Sequence, residues 1–398
     1  MTRFNPLLVT GCYRSGTTIV EKVLHSHPKI NIASQPFPVL YIQAKEIFLD
    51  RMGIRYRYPL DHRFLSREPP LSKFEEHLDS YRFSDLDLKA FRERMKEYKL
   101  GLWTPDILQK LDDIRPGTFH EIYLQLLEVI GDLYPKEESL YQGSKEVLIE
   151  EYIPYLLRKA VKVIVVVRDP RDMISSLNFR EKDNLTGSRR PILFSLRAWR
   201  KSVAYCLENE EDENFLWFRY EDFINRPQET LGRVSTFLGL REFAENAYKG
   251  AIMDQSGKQW RGNSSFSDKK GLSTDSIGKY KLKMSEQVIK YIETICYPEL
   301  CALAYPVDID KVSYSALSEF REPFDDIHDI FPADYGSDPT RIHNEWRRLQ
   351  ILLDPDADMS VDEVESWFLN VPTRLKLYTA MKNNFGGGNQ SALTDATA

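Results

Sequence analysis

The stretch that decides the fold is PLLVTGCYRSGTT, residues 6–18. Pro6 to Thr10 is a short apolar run and reads as a buried strand. Gly11 to Gly16 follow with the GxxxxG spacing of a phosphate loop. Ile19, Val20, Val23 and Leu24 then recur at helical spacing, up to a stop near His27-Pro28. A strand, a glycine-bounded turn and a helix in this order aim backbone N–H groups at an anion, and the positive helix end adds to them. A glycine-rich turn that binds nothing is the other reading, and the spacing alone leaves both open. A nucleoside triphosphatase loop would continue with Lys-Ser/Thr. Here Thr17 stands in the lysine's place and the cation is Arg14, inside the loop. The run VKVIVVV (161–167) ends in Arg168 with Asp169 one place late, so a Walker B acid for Mg-triphosphate is missing.

Working outward, Val161–Val167 is β-branched nearly throughout and reads as a central parallel strand covered on both faces. Asp169-Pro170-Arg171-Asp172 then starts a helix, with Asp169 as cap, Pro170 in the first turn and Asp172 near the positive end. A second strand is expected at 30–33, helices at 86–99, 119–133, 192–207, 227–238 and 285–302, and a strand at 215–220. Residues 254–280 read as a loop. This alternation predicts an α/β, P-loop-like three-layer fold with a central parallel sheet. Residues 41–140 read as a helical insertion in a domain spanning 1–305, residues 306–385 as a C-terminal helical extension, and 386–398 as a disordered end.

The chain's 54 basic and 60 acidic residues give a net charge of −6, which argues against a general nucleic-acid binder. The charge is uneven. Residues 301–398 hold 17 acids and 8 bases, a net −9 that leaves +3 for residues 1–300. The extension is therefore acidic and the body slightly basic. Four cysteines (Cys12, Cys206, Cys296, Cys301) form no CxxC pair, so a reduced, cytoplasmic chain is expected. Met1–Pro6 lacks the apolar stretch of a signal peptide, and the longest apolar run is too short to span a bilayer. The sequons at Asn184, Asn263 and Asn389 are accordingly read as chance matches.

Arg168 falls at the carboxyl edge of a central strand, where open α/β sheets bind ligands, and Ser176 lies eight residues on in the next helix. A guanidinium and a hydroxyl so placed could grip a second phosphate. With these residues assembled, the sequence resembles sulfotransferases that use 3′-phosphoadenosine-5′-phosphosulfate (PAPS). YRSGTT (13–18) resembles their 5′-phosphosulfate loop, and VIVVVRDPRDMISS (163–176) their 3′-phosphate motif. WFRYEDF (217–223) is similar to the segment carrying an adenine-contacting tyrosine, here Tyr220. WRGNSSF (260–266) and SIGKYK (276–281) resemble later cofactor-loop segments. The resemblance covers roughly 1–40 and 140–305.

The resemblance implies an in-line transfer of SO₃ to an acceptor hydroxyl or amine. It implies donor contacts from Arg14, Ser15, Gly16, Thr17 and Thr18 at the 5′ end. Arg168 and Ser176 are implied at the 3′-phosphate, and Tyr220, Ser264, Ser265, Ser276, Lys279 and Tyr280 elsewhere on the donor. No metal is required. Arg14 would neutralise the leaving phosphate. Where the tyrosylprotein branch carries its glutamate base, this chain has Gln35, and an amide cannot take a proton. The position of the cytosolic branch's catalytic histidine falls on Glu146, with Lys145 beside it. Glu146 as base and Lys145 as a second charge at the sulfuryl group is one reading. A surface salt bridge within the charged stretch Lys145, Glu146, Glu150, Glu151 is the other. His25 and His27 are rivals, though a histidine at a helix end is more often a cap or packing residue.

The insertion's aromatics (Tyr56, Tyr58, Phe64, Trp103) are candidates for an acceptor pocket, with a small molecule, including natural products, as acceptor. An ATP-dependent phosphotransferase and a non-catalytic nucleotide-binding protein are the alternatives. Residues 354–365 place acids at calcium-loop spacing, but Met359 occupies the glycine position. A helix start with a Ser360–Glu363 capping box is the favoured reading there.

Overall fold

The computed structural model describes residues 4–54, 71–98, 103–179, 189–260, 271–324, 334–354 and 357–384. One compact unit gathers the described residues of 1–61, 68–167 and 209–274, and a second those of 168–208 and 275–384. Tyr56, Tyr58 and Phe64, the sequons and the end 386–398 lie outside the described residues.

Among the described residues, the first unit is built on seven strands: β1 (Asn5–Thr10), β2 (Ile30–Ser34), β3 (Arg82–Phe83), β4 (Gly117–Thr118), β5 (Tyr141–Lys145), β6 (Lys162–Val167) and β7 (Phe215–Arg219). Five of them form an all-parallel sheet in the order β2-β5-β1-β6-β7. β3 and β4 pair as a separate antiparallel ribbon. The α/β class is as expected. β6 is buried from Val163 to Val167, which is why its apolar run shows no alternation.

Parallel neighbours need crossovers. Helix α1 (Thr17–His25) joins β1 to β2 and packs on β2, β5 and β1. Between β2 and β5 lie α2 (Pro38–Arg51), α3 (Leu71–Ser80), α4 (Asp85–Glu97), α5 (Phe119–Leu133) and the ribbon. Capping boxes at Ser84/Asp87 and Thr118/Glu121 start α4 and α5. Helix α6 (Ile153–Arg158) returns the chain to β6.

β5 was not foreseen as a strand. Its sequence, YQGSK, has little β-propensity, yet it sits between β1 and β2 with Gly143, Ser144 and Lys145 all buried. Tertiary placement overrides local preference here.

The second unit contains α7 (Pro170–Asn178), α8 (Ile192–Asn209) and the helices Glu286–Ala302, Pro339–Leu353, Val361–Phe368 and Val371–Asn384. Asp169 caps α7 by accepting from Arg171 N, as the sequence suggested. The Ser360–Glu363 capping box starts the helix Val361–Phe368. The acidic extension does not stand apart from the body's helices. Glu345, on Pro339–Leu353, accepts from Arg197 Nε and Arg200 Nη1 of α8, each at 2.6 Å, and Arg348 pairs with Glu299. All five groups are buried. All four cysteines are free thiols. Among the described residues, no helix is long and apolar enough to cross a membrane.

Glu345 is the hub of this network. The two guanidiniums outweigh its burial and hold its carboxyl down to about 2. Glu345→Ala would leave two buried guanidiniums without their counter-charge, an expected cost of about 3–5 kcal/mol. Its folded value lies below its ordinary one. Its stabilisation is therefore complete above about pH 4.5 and is lost as pH falls toward 2. Urea melts of wild type and Glu345→Ala at pH 7 and pH 3 check both statements: the gap between the two proteins narrows at the lower pH.

Candidate active site

The loop 11–18 is shaped by backbone geometry that few residues tolerate. Gly11 has φ +148, and a methyl added there would lie 2.3 Å from the carbonyl oxygen of Val166 on β6. The chain leaves β1 flush against its neighbour strand. Arg14 is left-handed at φ 63, and Gly16, at φ +88, is the N-cap of α1. No side chain caps α1 at Gly16, and its first-turn N–H groups are those a helix leaves without intrahelical acceptors. They offer an anion both donors and the positive end of the helix dipole. The Ser15 hydroxyl turns inward to the carbonyl of Cys12. Tyr220, at the β7 edge, lays its ring on Gly16: an added methyl would meet Tyr220 Cδ2 at 2.2 Å. Loop and tyrosine are thus neighbours within one unit.

The end of β5 runs beside this loop. Glu146 N donates to Val9 O at 3.0 Å, and Leu148 N donates to Gly11 O at 3.3 Å. Gln35, left-handed at φ 42, donates its N–H to Lys145 O at 2.7 Å. Lys145 Nζ donates to Gln35 Oε1, and Phe37 N donates to Glu146 Oε1, each at 3.3 Å. Lys145 and Glu146 are each 1% exposed. This overturns the surface-salt-bridge reading of the charged stretch. Glu150 and Glu151 are buried too, the latter paired with Lys45 at 3.0 Å. Burial pushes the Glu146 carboxyl up and the Lys145 ammonium down, each partly offset by the other's charge.

Two further charged residues, missed in the sequence, belong to the same cluster. Glu21 on α1 is wholly buried, with its carboxylate 3.0 Å from Lys22 Nζ, and it acts electrostatically on Lys145. Lys22 also donates to Gln255 Oε1, whose amide donates to Thr104 Oγ1 at 3.3 Å. The apolar face of Val20, Val23 and Leu24 gave no signal for them: α1 is buried all round from Val20 to His25, so the charges that lie off that face are enclosed as well.

The rival histidines are engaged elsewhere. His25 Nδ1 accepts from Ile32 N, and burial holds the ring neutral, down to about 3. His27 Nδ1 accepts from Lys29 N, and its ring packs edge-on against Phe243. Of the insertion's aromatics, Trp103 is exposed. Tyr41, Phe119 and Tyr152 instead pack on one another as core.

In the second unit the 168–176 motif is tied to the 276–281 segment. Arg168 Nη2 donates to Ser276 O at 2.6 Å, and Trp199 Nε1 donates to Arg168 O at 2.8 Å. The Asp172 carboxylate accepts from Gly278 N at 2.7 Å and Tyr280 N at 3.1 Å. Arg171 bridges Asp169 and Glu293 and lies over the Tyr280 ring at 4.7 Å. Ser176 is half-buried on α7, and Lys279 precedes the helical turn Tyr280–Lys283. Ser264 and Ser265 lie outside the described residues.

The sequence model of the sulfotransferase family matches residues 6–245. The chain is 28% identical over 189 residues to carbohydrate sulfotransferase 1 of Danio rerio, covering 41% of this chain and 43% of that protein. It is 27% identical over 112 residues to carbohydrate sulfotransferase 7 of Mus musculus, covering 28% and 23%. The match thus spans less than half the length of these relatives. Similar solved structures include the sulfotransferase domain from the curacin biosynthetic pathway (TM-score 0.43, 18% identity, 77% of this chain and 100% of that one). A sulfotransferase from Mycobacterium avium is another (TM-score 0.36, 13% identity, 77% and 79%).

The Gly16–Tyr220 contact makes a direct prediction. Gly16→Ala forces a methyl into the tyrosine ring at a left-handed position, so the loop must shift. Calorimetry should show affinity for adenosine 3′,5′-bisphosphate falling about tenfold or more, a loss of about 1.4 kcal/mol. Gly232→Ala, where the added methyl meets open space, should leave affinity unchanged.

Proposed function

The chain belongs to the sulfotransferase family, and from that premise we propose that it moves a sulfuryl group from PAPS to a hydroxyl or amine of a small-molecule acceptor. The observation that carries this reading is the loop 11–18, closed over by Tyr220 and flanked by the buried Lys145–Glu146 pair. The N–H groups of the first turn of α1 suit a phosphate, and the Tyr220 ring beside Gly16 suits the flat face of a base. PAPS, when bound, supplies an activated sulfuryl group and a phosphate leaving group.

The residues divide the work as follows. The N–H groups of residues 15–18, with the Thr17 and Thr18 hydroxyls, hold the 5′-phosphate. Arg14 neutralises charge arriving on the leaving oxygen. Lys145 offers a second cation, and Glu146 accepts the acceptor's proton. Burial suits Glu146 to this, because a carboxyl raised toward neutrality is a stronger base than an exposed one. In the second unit, Arg168 and Ser176 are assigned the 3′-phosphate, and Ser276, Lys279 and Tyr280 further donor contacts. That assignment rests on the motif and on the hydrogen bonds that tie these segments together. Ser264 and Ser265 keep their proposed donor contacts on sequence grounds alone. The scheme asks for no metal. The curated relatives are carbohydrate sulfotransferases, so sugar hydroxyls belong in an acceptor screen beside small natural products.

Titration with adenosine 3′,5′-bisphosphate, ATP and Mg-ATP tests the donor. Tight bisphosphate binding without Mg²⁺, weakened in Arg14→Ala and lost in Arg168→Ala, is expected. A preference for Mg-ATP would favour a phosphotransferase, and binding without turnover of labelled PAPS a non-catalytic binder. For the base, Glu146 must be ionised to act and its carboxyl is raised. The rate should therefore climb with pH above the ordinary carboxylate range. Glu146→Gln should remove that limb and lower kcat by about 10²–10⁴. An unchanged profile would remove Glu146 from the role.

A further inference from the structure

Asp172 carries a charge that its surroundings do not invite. It is 1% exposed and stands in the first turn of α7, just after Arg168. A buried carboxylate beside residues assigned to a phosphate repels that phosphate. The helix dipole does not explain it, because a bound phosphate would draw on the same positive end. Its two oxygens are engaged by another segment. Asp172 Oδ2 accepts from Gly278 N at 2.7 Å, and Oδ1 accepts from Tyr280 N at 3.1 Å. Gly278 is left-handed at φ +70 and Lys279 right-handed at φ −66, an alternation that turns successive N–H groups toward one anion. The anion is the chain's own carboxylate.

Two more contacts from the same turn hold the same segment. Arg168 Nη2 donates to Ser276 O at 2.6 Å, and Arg171 lies over the Tyr280 ring at 4.7 Å. Arg171 is itself fixed between Asp169 and Glu293. Residues 276–280 are thus gripped at a carbonyl, at two N–H groups and at a ring, all by residues 168–172. We infer that Asp172 is a positioning residue for the donor's 3′-phosphate: its carboxylate holds residues 276–280 against the turn that carries Arg168, and this tie sets the preference for a donor bearing that phosphate over one without it. Asp172 touches neither the donor nor a reacting atom in this scheme. It acts through Arg168, whose guanidinium donates to the Ser276 carbonyl, and through Lys279, which lies between the two N–H groups that the carboxylate binds. Fixing these two cations outweighs the repulsion from one carboxylate whose charge is met by two N–H donors. The consequence for the donor rests on the function proposed above; the tie between the segments does not.

Calorimetry with adenosine 3′,5′-bisphosphate and adenosine 5′-monophosphate isolates the 3′-phosphate, because the two ligands share everything else. Asp172→Asn keeps the side chain's shape but sets an amide NH₂ against one of the two backbone donors. The affinity ratio of bisphosphate to monophosphate should fall about tenfold or more. Affinity for the monophosphate should change little, which general loosening of the fold would not spare. In turnover, KM for PAPS should rise more than kcat falls. Hydrogen exchange at the Gly278 and Tyr280 amides should quicken in the same variant. Gly278→Ala, where the added methyl meets open space but the left-handed turn is disfavoured, should lower the ratio in the same direction by less. It reads the tie if Asp172→Asn does not fold. A ratio unchanged or raised in Asp172→Asn, or in Gly278→Ala where the first variant does not fold, overturns the inference. A wild type that binds the two nucleotides alike overturns the 3′-phosphate assignment, and quickened exchange in Asp172→Asn then leaves the tie between the segments standing.

Discussion

The register of β1 between two parallel neighbours is the constraint on which the candidate site depends. Val9 lies opposite Lys145 on one side and Ile164 on the other. Because all three strands run the same way, their carboxyl ends arrive at one edge. The loop 11–18, the Lys145–Glu146 step and the end of β6 at Val167 are therefore delivered by the same ladder of hydrogen bonds. A one-residue slip of β5 would exchange Lys145 with its neighbours across the sheet and carry its ammonium to the other face. The hydrogen bonds from Glu146 N to Val9 O and Leu148 N to Gly11 O extend that register past the strand and into the loop.

Both units bury charge, but they do so differently. In the second unit Glu345 is met by two guanidiniums, and its carboxyl falls to about 2. It remains ionised at any physiological pH and acts as a structural tie. In the first unit Glu21 and Glu146 are raised and Lys145 is lowered, because desolvation outweighs the charges that meet them. Shifts in these directions bring a group closer to giving up its charge, which costs stability and is useful to proton-transfer chemistry. The contrast separates the two networks on physical grounds: one is over-compensated, the other under-compensated and beside the loop 11–18.

The sequence showed what depends on local chemistry. The β-branched run of β6, the GxxxxG turn, the Asp169 cap and the Ser360 capping box each carry their signal in a few adjacent residues. β5 was not legible, because Gln142, Gly143 and Ser144 take their strand conformation from β1 and β2 rather than from any preference of their own. For the same reason Lys145 and Glu146 could be read as surface charges: only the sheet reveals that they are buried. The acidic extension misled in a similar way. A net charge counts Glu345 like any other acid, although it is buried under Arg197 and Arg200 and its charge is cancelled locally.

Gln35 connects these points. A glutamate at this position could both accept a proton and neutralise the lysine beside it; the amide does neither, and offers Lys145 only the partial charge of its Oε1. Under the proposed function the proton falls to Glu146, whose Oε1 accepts from Phe37 N beside the loop. Glu21, also buried, is ion-paired at 3.0 Å with its own neighbour Lys22. A buried ammonium met by an amide in place of a carboxylate keeps its charge only at a cost, which is why burial dominates the downward shift of Lys145.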